Sequence, residues 1–452
     1  MPLIASERLA FDGLGQGGAA FVLHPSLSAC AIDRVAVGAE HVLALSSRGQ
    51  IWSWGSNRFG QLGQGTRGEH ATQPSVVLGA LAGRRVLDVS AGAFHSLAAV
   101  ERGFHSREAA EASGRSQRTF TAAEASASSA ACVFSWGFGG DSALGHGREA
   151  DEFRPRAVLR SSEGELLTGV RTVAAGWRHS LALTRQGILW AWGHGDSGQL
   201  GVHGRMEAMA PVSIASFDTA SGTTVWKGSC PNMEGDSHVP NMEGEPHVPN
   251  MEGESHVPNM EASQLRLIAA GDQYSVAVDV HGRVWQWGCI LRAGRESFPT
   301  ACPRRMHLPL PEEEGHDDAL RPPGTTTRVR SIAAGAGHVI ALTWDGHVYT
   351  WGQGRSGSLG HGDERDLRAP ALVSMHHGLP VQGITSISAG ANHSLAMRAS
   401  LDGSGEPVMW AWGHTAALVR RWQPCDVGAP WYEGTNVPEV LFQMKEQAGV
   451  RL

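Results

Sequence analysis

Several features that mark particular classes of protein are scarce or absent in this sequence. Its six cysteines include no C-x-x-C pair and no metal-ligand spacing, so we expect free thiols in a reducing compartment and no bound metal. No apolar run approaches the roughly 18 residues of a membrane span. The N-terminus lacks the basic and apolar regions of a secretory signal. We therefore expect a cytoplasmic and/or nuclear protein without a membrane span.

Charge of one sign is not concentrated in any long block. Lysine and arginine together number 37 against 44 aspartate and glutamate residues, which gives a net charge of −7. Direct binding of nucleic acid usually requires a basic tail or patch, so we expect none here. Tyrosine is rare, with 3 residues, whereas glycine (58) and tryptophan (15) are plentiful. This composition favours many short strands joined by turns.

An internal repeat dominates the sequence. The stretch VAAGWRHSLALTRQGILWAWGHGDSGQLG, Val173 to Gly201, has related copies along the chain. The six copies begin at Val35, Val89, Val173, Ile268, Ile332 and Ile387. In four of them a histidine, or Tyr274 in the fourth copy, precedes the glycine of the Trp-Gly step by 14 positions: 41 to 55, 179 to 193, 274 to 288 and 338 to 352. The second and sixth copies contain both halves of the motif with a longer hairpin between them.

Each copy predicts at least three strands. An apolar strand ends at Ala-Gly, a G-x-x-H turn leads into a second strand, and a tight hairpin leads into a third strand with the pattern W-x-W. Alternation places Trp190 and Trp192 on one face of that strand, where we expect them to pack in the core. A proline that suits an edge strand usually follows: Pro74, Pro155, Pro211 and Pro370. Such a unit, repeated around a ring, is typical of an all-β protein with the β-propeller fold.

The two half-motifs, G-x-x-H-S-L-A-L and W-x-W-G followed by G-x-L-G, resemble the repeat of the regulator of chromosome condensation family. The resemblance covers roughly residues 31–414 and implies a propeller, which in that family typically has seven blades. Only six copies are visible. Residues 1–30, where FDGLGQGG resembles the second half of a repeat, could close the ring together with residues 415–452. The sequence leaves six and seven blades as alternatives.

Three insertions interrupt the repeats. Residues 101–131 are rich in alanine, serine, arginine and glutamate. Residues 226–263 contain a nine-residue tandem repeat with prolines at 231, 240, 249 and 258, and residues 295–328 are proline-rich with an acidic centre. These compositions cannot bury enough apolar surface to fold separately, so we predict surface loops rather than further domains.

Two patterns suggest chemistry but fit the architecture better. The sequence G-x-G-x-x-G begins at Gly13, Gly193 and Gly352, yet a dinucleotide site needs a helix after such glycines. Histidines recur once per copy, so we expect them around the ring, with their side chains bonded to backbone groups of the G-x-x-H turns: His41, His95, His179, His338 and His393. No Ser-His-Asp, Cys-His or paired-acid arrangement stands out. We therefore expect no catalytic, cofactor-binding or metal-binding residues.

Trp177 differs from the other tryptophans because it lies in a turn. In the family, a plant UV-B photoreceptor uses tryptophans from GWRH turns on successive blades, but this sequence has GWRHS only once, at Gly176 to Ser180. We interpret Trp177 as a partner contact on one face of the propeller. Asp141, Asp196 and Asp363, which follow Trp-Gly steps, are further candidates for partner contact, although acids in such turns often bind local backbone amides.

These observations favour a non-enzymatic, monomeric scaffold that binds a protein partner through propeller faces and loops. The resemblance implies two alternatives. The founding member of the family is a guanine-nucleotide exchange factor for a small Ras-like GTPase, and related repeats occur in large ubiquitin ligases, where a propeller could recruit substrates. The chain lacks the basic N-terminal tail of the founding member, so no exchange residue is assigned by position.

Overall fold

The described part of the chain is built almost entirely from β-strands. The computed structural model describes residues 27, 30–68, 70–101, 131–160, 165–218, 223–226, 264–291, 300–309, 327–374, 383–398, 408–414 and 435–443. Within them, 25 strands form six antiparallel sheets, one for each copy of the repeat. The prediction of an all-β propeller is confirmed, with six blades in the described residues.

The first three blades follow one another along the chain. Blade 1 contains β1 (Ile32–Val37), β2 (His41–Ser46), β3 (Ile51–Gly55) and β4 (Ala71–Val76). Blade 2 contains β5 (Val86–Ala91), β6 (His95–Val100), β7 (Cys132–Gly137) and β8 (Glu152–Ala157). Blade 3 has a fifth strand and contains β9 (Val170–Ala175), β10 (His179–Thr184), β11 (Leu189–His194), β12 (Glu207–Asp218) and β13 (Thr223–Trp226).

The remaining three blades have four strands each. Blade 4 contains β14 (Leu265–Ala270), β15 (Tyr274–Asp279), β16 (Val284–Gly288) and β17 (Thr300–Met306). Blade 5 contains β18 (Val329–Ala334), β19 (His338–Thr343), β20 (Val348–Gly352) and β21 (Leu367–Leu372). Blade 6 contains β22 (Ser386–Ala389), β23 (His393–Arg398), β24 (Val408–Gly413) and β25 (Thr435–Gln443). Strands pair in chain order within each blade.

The second strand of a blade forms the centre of the core. In five blades this strand is buried along its whole length, because its sheet packs between neighbouring structure on both faces: β2, β6, β10, β15 and β19. The tryptophan that directly precedes the glycine of the third strand is fully buried in every blade: Trp54, Trp136, Trp192, Trp287, Trp351 and Trp412. The prediction that the W-x-W residues belong to the core is therefore met for these six side chains.

The prolines lie in the fourth strands, where the sheet register shifts. In blade 1, Ser53 pairs with Ser75 but Gly55 pairs with Ala71, and Pro74 lies within this irregularity. Pro155, Pro211 and Pro370 occupy the same place in β8, β12 and β21. A bulge leaves a residue outside the ladder, so the missing N–H of proline costs no hydrogen bond there.

A repeated hydrogen bond joins each blade to the next. The Nε2 atom of His95 in blade 2 lies 3.0 Å from Ser180 Oγ in blade 3, and Ser180 Oγ donates to the carbonyl of Ala143 at 2.8 Å. Because the serine proton is used for that carbonyl, Nε2 must carry the proton and donate to Oγ. The same pair recurs at distances of 2.9 to 3.0 Å as His41 with Ser96, His179 with Ser275, and His338 with Ser394.

These bonds correct one detail of the sequence prediction. The repeat predicts histidines that bind backbone groups of their own turns, but their Nε2 atoms bind a serine of the following blade. The serine immediately follows the histidine of its own blade, or Tyr274 in blade 4, so the pairs link blades 1 to 4 in succession and blade 5 to blade 6. Each pair therefore stabilises the contact between blades rather than the turn itself.

Blade 4 uses a different pair at the same place. Tyr274 replaces the histidine, and Val339 replaces the serine in blade 5. The Tyr274 hydroxyl reaches further and lies 2.9 Å from the carbonyl oxygen of Gly335 and 2.5 Å from that of His338. Tyr274 and Val339 are both fully buried in one apolar cluster. The two substitutions are complementary, since a buried serine would have no histidine to accept from.

The first strands of successive blades contact one another from blade 1 to blade 6. Among the described residues, no serine Oγ lies opposite His393 of blade 6. On blade 1, Leu27 is fully buried against a cluster that includes Val42, Ala44 and Trp54. The C-terminal strand β25 is the outer strand of blade 6. Residues 1–26, 415–434 and 444–452 lie outside the described part, so a seventh blade that uses both terminal segments stays a prediction, although β25 of the C-terminal segment belongs to blade 6.

Most residues of the three predicted insertions also lie outside the described part of the chain, namely 102–130, 227–263, 295–299 and 310–326. The prediction of a loop over residues 295–328 is wrong for Thr300–Met306, which is β17 and pairs with β16. The reason is that this segment supplies the outer strand that every blade needs, although its sequence, TACPRRM, lacks a regular apolar alternation.

Two further observations concern the cysteines and the membrane. Cys30 is a free thiol, as expected, and the Sγ atoms of Cys132 and Cys289 donate to the carbonyls of Val100 at 3.7 Å and Leu291 at 2.8 Å. Cys302, however, is disulfide-bonded, so the expectation of free thiols throughout is wrong for this residue. Within the described residues, no helix is long and apolar enough to cross a membrane.

Candidate partner-binding face

The G-x-x-H turns and the loops after the Trp-Gly steps lie at the same end of the blades. His179, at the end of its turn, pairs directly with Gly193, at the start of its loop, and His41 pairs in the same way with Gly55. The equivalent pairs recur in the other blades. We call the surface formed by these turns and loops the turn face.

Glycines are required where two turns meet on this face. The N–H of Trp177 donates to the carbonyl of Gly271 in the next blade at 3.2 Å, and the N–H of Ala93 donates to that of Gly176 at 3.3 Å. A Cβ atom at Gly176 would lie 2.5 Å from the Gly271 oxygen. Only glycine allows this approach, so the backbone of Trp177 is fixed while its side chain is 37% exposed.

Four aromatic side chains contact one another on the turn face of blades 1 to 3. The ring centroid of Phe94 lies 5.8 Å from that of Trp177 and 5.5 Å from that of Phe59, both in edge-to-face geometry. Phe138 lies 4.9 Å from Phe59 and 6.4 Å from Phe94. The three phenylalanines are half-buried. We call these four residues the aromatic cluster.

Charged side chains lie directly beside the aromatic cluster. Asp141 adopts the left-handed conformation, with φ of 55°, and its carboxylate lies 3.5 Å from Arg178 Nε and 3.7 Å from His194 Nδ1. His194 Nε2 lies 3.1 Å from Asp196. Arg178 is the neighbour of Trp177 in the chain. The structure thus brings Trp177, Asp141 and Asp196 together at the boundary of blades 2 and 3.

Hydrogen bonds keep Asp196 ionised. Partial burial acts to raise its pKa, but the hydrogen bonds from His194 and Ser197 outweigh burial and hold the pKa below its ordinary value. A carboxylate that stays charged beside a histidine can bind a cationic or hydrogen-bonding group of a partner.

Asp363 is not part of this group. It lies in the turn before β21 of blade 5, where its carboxylate accepts from the backbone N–H of Arg365 at 3.0 Å and from Arg365 Nε at 2.6 Å. These bonds lower the pKa of Asp363. Its contacts satisfy its own turn, which is the local role that acids in such turns often have.

Burial sets the charge of the five histidines of the G-x-x-H turns. Desolvation lowers the pKa of His41 and His179 to about 3 and that of His95, His338 and His393 to about 4, so they are neutral at physiological pH. Among the described residues, no three histidine, cysteine or acidic side chains are grouped as metal ligands would be. The glycine motif at Gly193 is followed by the fourth strand of its blade rather than by a helix.

Sequence reasoning missed Phe59, Phe94 and Phe138. Each phenylalanine lies in a different connection between strands. Phe59 and Phe94 are 35 positions apart in the chain, and Phe94 and Phe138 are 44 positions apart. One sequence feature could have identified them: each places a phenylalanine at a turn position where the other copies of the repeat have polar or small residues. Only the stacking of adjacent blades brings the three rings to Trp177.

Comparison with known proteins agrees with this architecture. Models of the regulator of chromosome condensation (RCC1) repeat match residues 48–99, 131–183 and 345–397, and a second model of the same repeat matches residues 32–61, 170–199 and 329–358. The matches fall on blades 1, 2, 3, 5 and 6, so most copies found by inspection are also recognised as repeats.

Three curated relatives show the range of proteins to which the chain is similar. The ultraviolet-B receptor UVR8 of Arabidopsis thaliana is 26% identical over 384 residues, which cover 84% of this chain and 64% of the receptor. The human E3 ubiquitin-protein ligase HERC2 is 27% identical over 379 residues, or 82% of this chain and 6% of the ligase. Mouse protein RCC2 is 29% identical over 255 residues, or 50% of this chain and 48% of that protein. The chain thus spans less than two thirds of each relative.

Solved structures share the fold. The structure of Prp20p from Saccharomyces cerevisiae, a protein with binding properties to Gsp1p and histones, matches 91% of this chain and 77% of that chain with a TM-score of 0.57 and 20% identity. Human WBSCR16 matches 92% of this chain and 82% of its own with a TM-score of 0.58 and 20% identity.

Proposed function

Since the chain belongs to the family of β-propellers built from RCC1 repeats, we propose that it is a non-enzymatic scaffold that binds a protein partner on its turn face. The observation that carries this proposal is the aromatic cluster, in which Phe59, Phe94, Phe138 and Trp177 meet at the surface. Aromatic residues with an exposed edge are the commonest anchors of protein interfaces.

The charges beside the cluster support a protein partner. Arg178 follows Trp177 in the chain and lies 3.5 Å from Asp141, and His194 lies 3.7 Å from Asp141 and 3.1 Å from Asp196, so this part of the turn face carries both signs of charge. An apolar centre with a polar rim is the usual composition of a transient interface. We propose that the partner contributes an apolar side chain to the cluster and that the rim selects it. In this proposal the protein acts as a monomer in the cytoplasm or nucleus.

A capture experiment with two matched variants tests the proposal. Trp177→Ala removes the exposed ring of the turn face, and Met209→Ala removes a side chain of β12 in blade 3, a residue that is 49% exposed and belongs to neither end of the blade. The purified chain and both variants are immobilised and exposed to lysate, and bound proteins are quantified by mass spectrometry. We expect Trp177→Ala to lose the main partner and Met209→Ala to retain it. Retention by both variants would contradict the assignment of the turn face.

A second candidate is guanine-nucleotide exchange on a small Ras-like GTPase. It is favoured by the likeness in fold to Prp20p, a protein that binds Gsp1p. It is also favoured by the acidic residues Asp141 and Asp196 on the turn face. An exchange factor needs no nucleotide site of its own, because it acts by binding the nucleotide-free GTPase more tightly than the loaded form.

Magnesium dependence separates the two candidates. Capture is repeated with and without EDTA, which strips Mg²⁺ from GTPases and promotes loss of nucleotide. Capture of a small GTPase only with EDTA, followed by release on addition of GTP, would establish exchange. The same partners in both conditions, with no GTPase among them, would leave the scaffold. A recruiting role for a ubiquitin ligase, suggested by the likeness to HERC2, predicts a ligase among those partners.

A further inference from the structure

The end of the blades opposite the turn face carries a group of arginines. Here the first strand of a blade begins and the hairpin between the second and third strands turns, as in blade 5, where Trp344 N–H donates to the carbonyl of Arg328 at 3.1 Å. We call this surface the hairpin face. Its centre in blades 3 to 5 contains Arg171, Arg266 and Arg330, one at the same place in the first strand of each blade.

These three arginines form a ladder from blade to blade. Arg171 of blade 3 donates to the backbone carbonyl of Arg266 in blade 4, and Arg266 donates to the carbonyls of Val329 and Arg330 in blade 5 at 3.1 Å. Arg330 donates to the carbonyl of Thr385 at the start of blade 6 at 2.7 Å. Each guanidinium uses only part of its five donors in this way and is held in a fixed orientation.

The ladder concentrates positive charge on a protein that is negative overall. Within the described part of the chain, no carboxylate forms an ion pair with Arg171, Arg266 or Arg330. Burial and the neighbouring Arg266 lower the pKa of Arg171, which reflects the cost of placing these cations together. Asp279, the buried acid of this region, pairs with Arg283 at 2.6 Å, and its charge acts to raise the pKa of Arg266 against the larger effect of burial. Fixed cations that are not themselves paired with a carboxylate gain from an anionic ligand.

An exposed tryptophan lies between two rungs of the ladder. The guanidinium groups of Arg266 and Arg330 both lie 5.9 Å from the ring of Trp344, which is 60% exposed. Val280, at the equivalent hairpin position of blade 4, is 50% exposed. Exposed Arg328 adjoins Trp344, and the single acid of this hairpin, Asp345, is also exposed. The hairpin face therefore combines oriented cations with two apolar contact points.

We propose that the hairpin face of blades 3 to 5 is a docking site for an acidic protein segment that also carries an apolar side chain. Carboxylates of the segment pair with the free donors of Arg266 and Arg330, and the apolar side chain packs on Trp344. A polypeptide suits this surface better than nucleic acid, because the cations converge on one aromatic ring instead of forming a long stripe.

Fluorescence polarisation with synthetic probes tests this site on the full chain. The probe is a dye-labelled decapeptide of alternating glutamate and leucine, compared with the same peptide carrying glutamine for glutamate and with a labelled DNA duplex. Arg328→Glu and Trp344→Ala alter exposed side chains of the site. Arg58→Glu and Trp177→Ala are the matched controls, since they make the same kinds of change on the turn face. Thermal unfolding confirms that all four variants are folded.

We expect the glutamate peptide to bind saturably and more weakly as salt rises, with an affinity at least about tenfold lower for Arg328→Glu and Trp344→Ala and unchanged for both controls. The glutamine peptide should not bind. Binding of the duplex in preference to the peptide would overturn the proposal in favour of a nucleic-acid surface. Equal loss in Arg58→Glu would reduce the effect to overall charge and also overturn it. These results are independent of the turn face, because Trp177→Ala reports on that face separately.

Discussion

The buried histidine and serine pairs are the clearest expression of the repeat at the scale of single residues. His95, Ser180 and the carbonyl of Ala143 form a relay in which each proton has one acceptor, and Trp192 Nε1 donates to the same carbonyl at 2.9 Å. Since all these groups are excluded from water, each bond that is lost leaves a buried donor or acceptor without a partner. The relay explains why a polar residue recurs in an otherwise apolar core.

Replacing Ser180 with alanine should destabilise the protein. The change leaves the Nε2–H of His95 without an acceptor, and the free energy of unfolding should fall by about 1–3 kcal/mol. Urea unfolding followed by tryptophan fluorescence measures this difference. Ser47→Ala, a change at an exposed hairpin position, is the control and should have no measurable effect. A Ser180→Ala protein as stable as the wild type would show that the relay contributes nothing to the contact between blades.

Acid should weaken the fold through the same histidines. The unfolded chain takes up protons near the ordinary histidine pKa of 6.5, whereas burial lowers the pKa of His95 and His338 to about 4 and of His41 and His179 to about 3 in the folded protein. Between these values the unfolded state binds more protons. Stability is therefore complete above pH 6.5 and falls as the pH drops towards 4, by about 2 kcal/mol at pH 5 for one such histidine.

Urea unfolding at a series of pH values measures this dependence. The urea concentration at the unfolding midpoint should decrease from pH 7 to pH 5. The contribution of the buried histidines to this midpoint should change little between pH 7 and pH 8. His95→Gln retains a donor for Ser180 but cannot titrate, so its midpoint should depend less steeply on pH. Identical midpoints at pH 7 and pH 5 would mean that these imidazoles are not buried in the neutral form.

Part of this residue-level account could be predicted from the sequence. Recurrence once per copy indicated that the histidines are structural, and alternation indicated that Trp192 is buried. The acceptor of the histidine bond could not be predicted, because Ser180 lies 85 positions from His95 and only the packing of two sheets brings them together. The disulfide of Cys302 was missed for a similar reason, since spacing alone does not report contact in space.

At the scale of elements, the interface between blades 4 and 5 tests the pairing rule, by which the histidine of one blade bonds to the serine of the next blade. At this interface the pair Tyr274 and Val339 takes the place of the histidine–serine pair that is found at four other interfaces. The tyrosine hydroxyl bypasses the valine and binds two carbonyl groups of blade 5. The two residue types should therefore be energetically coupled, with each suited only to its own partner.

A double-mutant cycle measures this coupling. Tyr274→His alone should destabilise the protein, because it leaves a cavity and sets an imidazole donor against Val339. Val339→Ser alone should also destabilise it, by burying a hydroxyl next to a phenol ring. In the double variant the new histidine can donate to the new serine, so the loss should be at least about 1 kcal/mol smaller than the sum of the single losses. Strictly additive losses would contradict the pairing rule.

The order of most strands could be predicted from the sequence, but some of the outer strands could not. Regular alternation and Gly-containing hairpins marked the first three strands of each blade, and proline marked β4, β8, β12 and β21. The outer strand β17 and the extra strand β13 escaped prediction, since an outer strand packs on one side only and needs no alternating apolar pattern. The last strand, β25, lies 22 positions after β24, from residue 413 to residue 435, too far for local pairing signals.

At the scale of the whole molecule, the propeller presents two surfaces of different chemistry. The turn face exposes the aromatic cluster with mixed charges, and the hairpin face exposes arginines around Trp344. Each surface has one exposed tryptophan, Trp177 on the turn face and Trp344 on the hairpin face. Of the four candidate contact residues named from the sequence, Trp177, Asp141 and Asp196 come together, whereas Asp363 binds within its own turn. Their assembly depends on the stacking of blades 2 and 3, which local sequence does not encode.

Photocrosslinking from position 177 tests the central proposal most directly, because it captures a partner of any identity at the site of contact. A benzophenone amino acid replaces Trp177 on the turn face, and the control places it at Met209, which is 49% exposed on an outer strand of blade 3. After irradiation in lysate, adducts are separated by size and identified by mass spectrometry. We predict a discrete adduct from position 177 and none from position 209. Adducts from position 209 alone, or the same proteins from both positions, would contradict binding at the turn face.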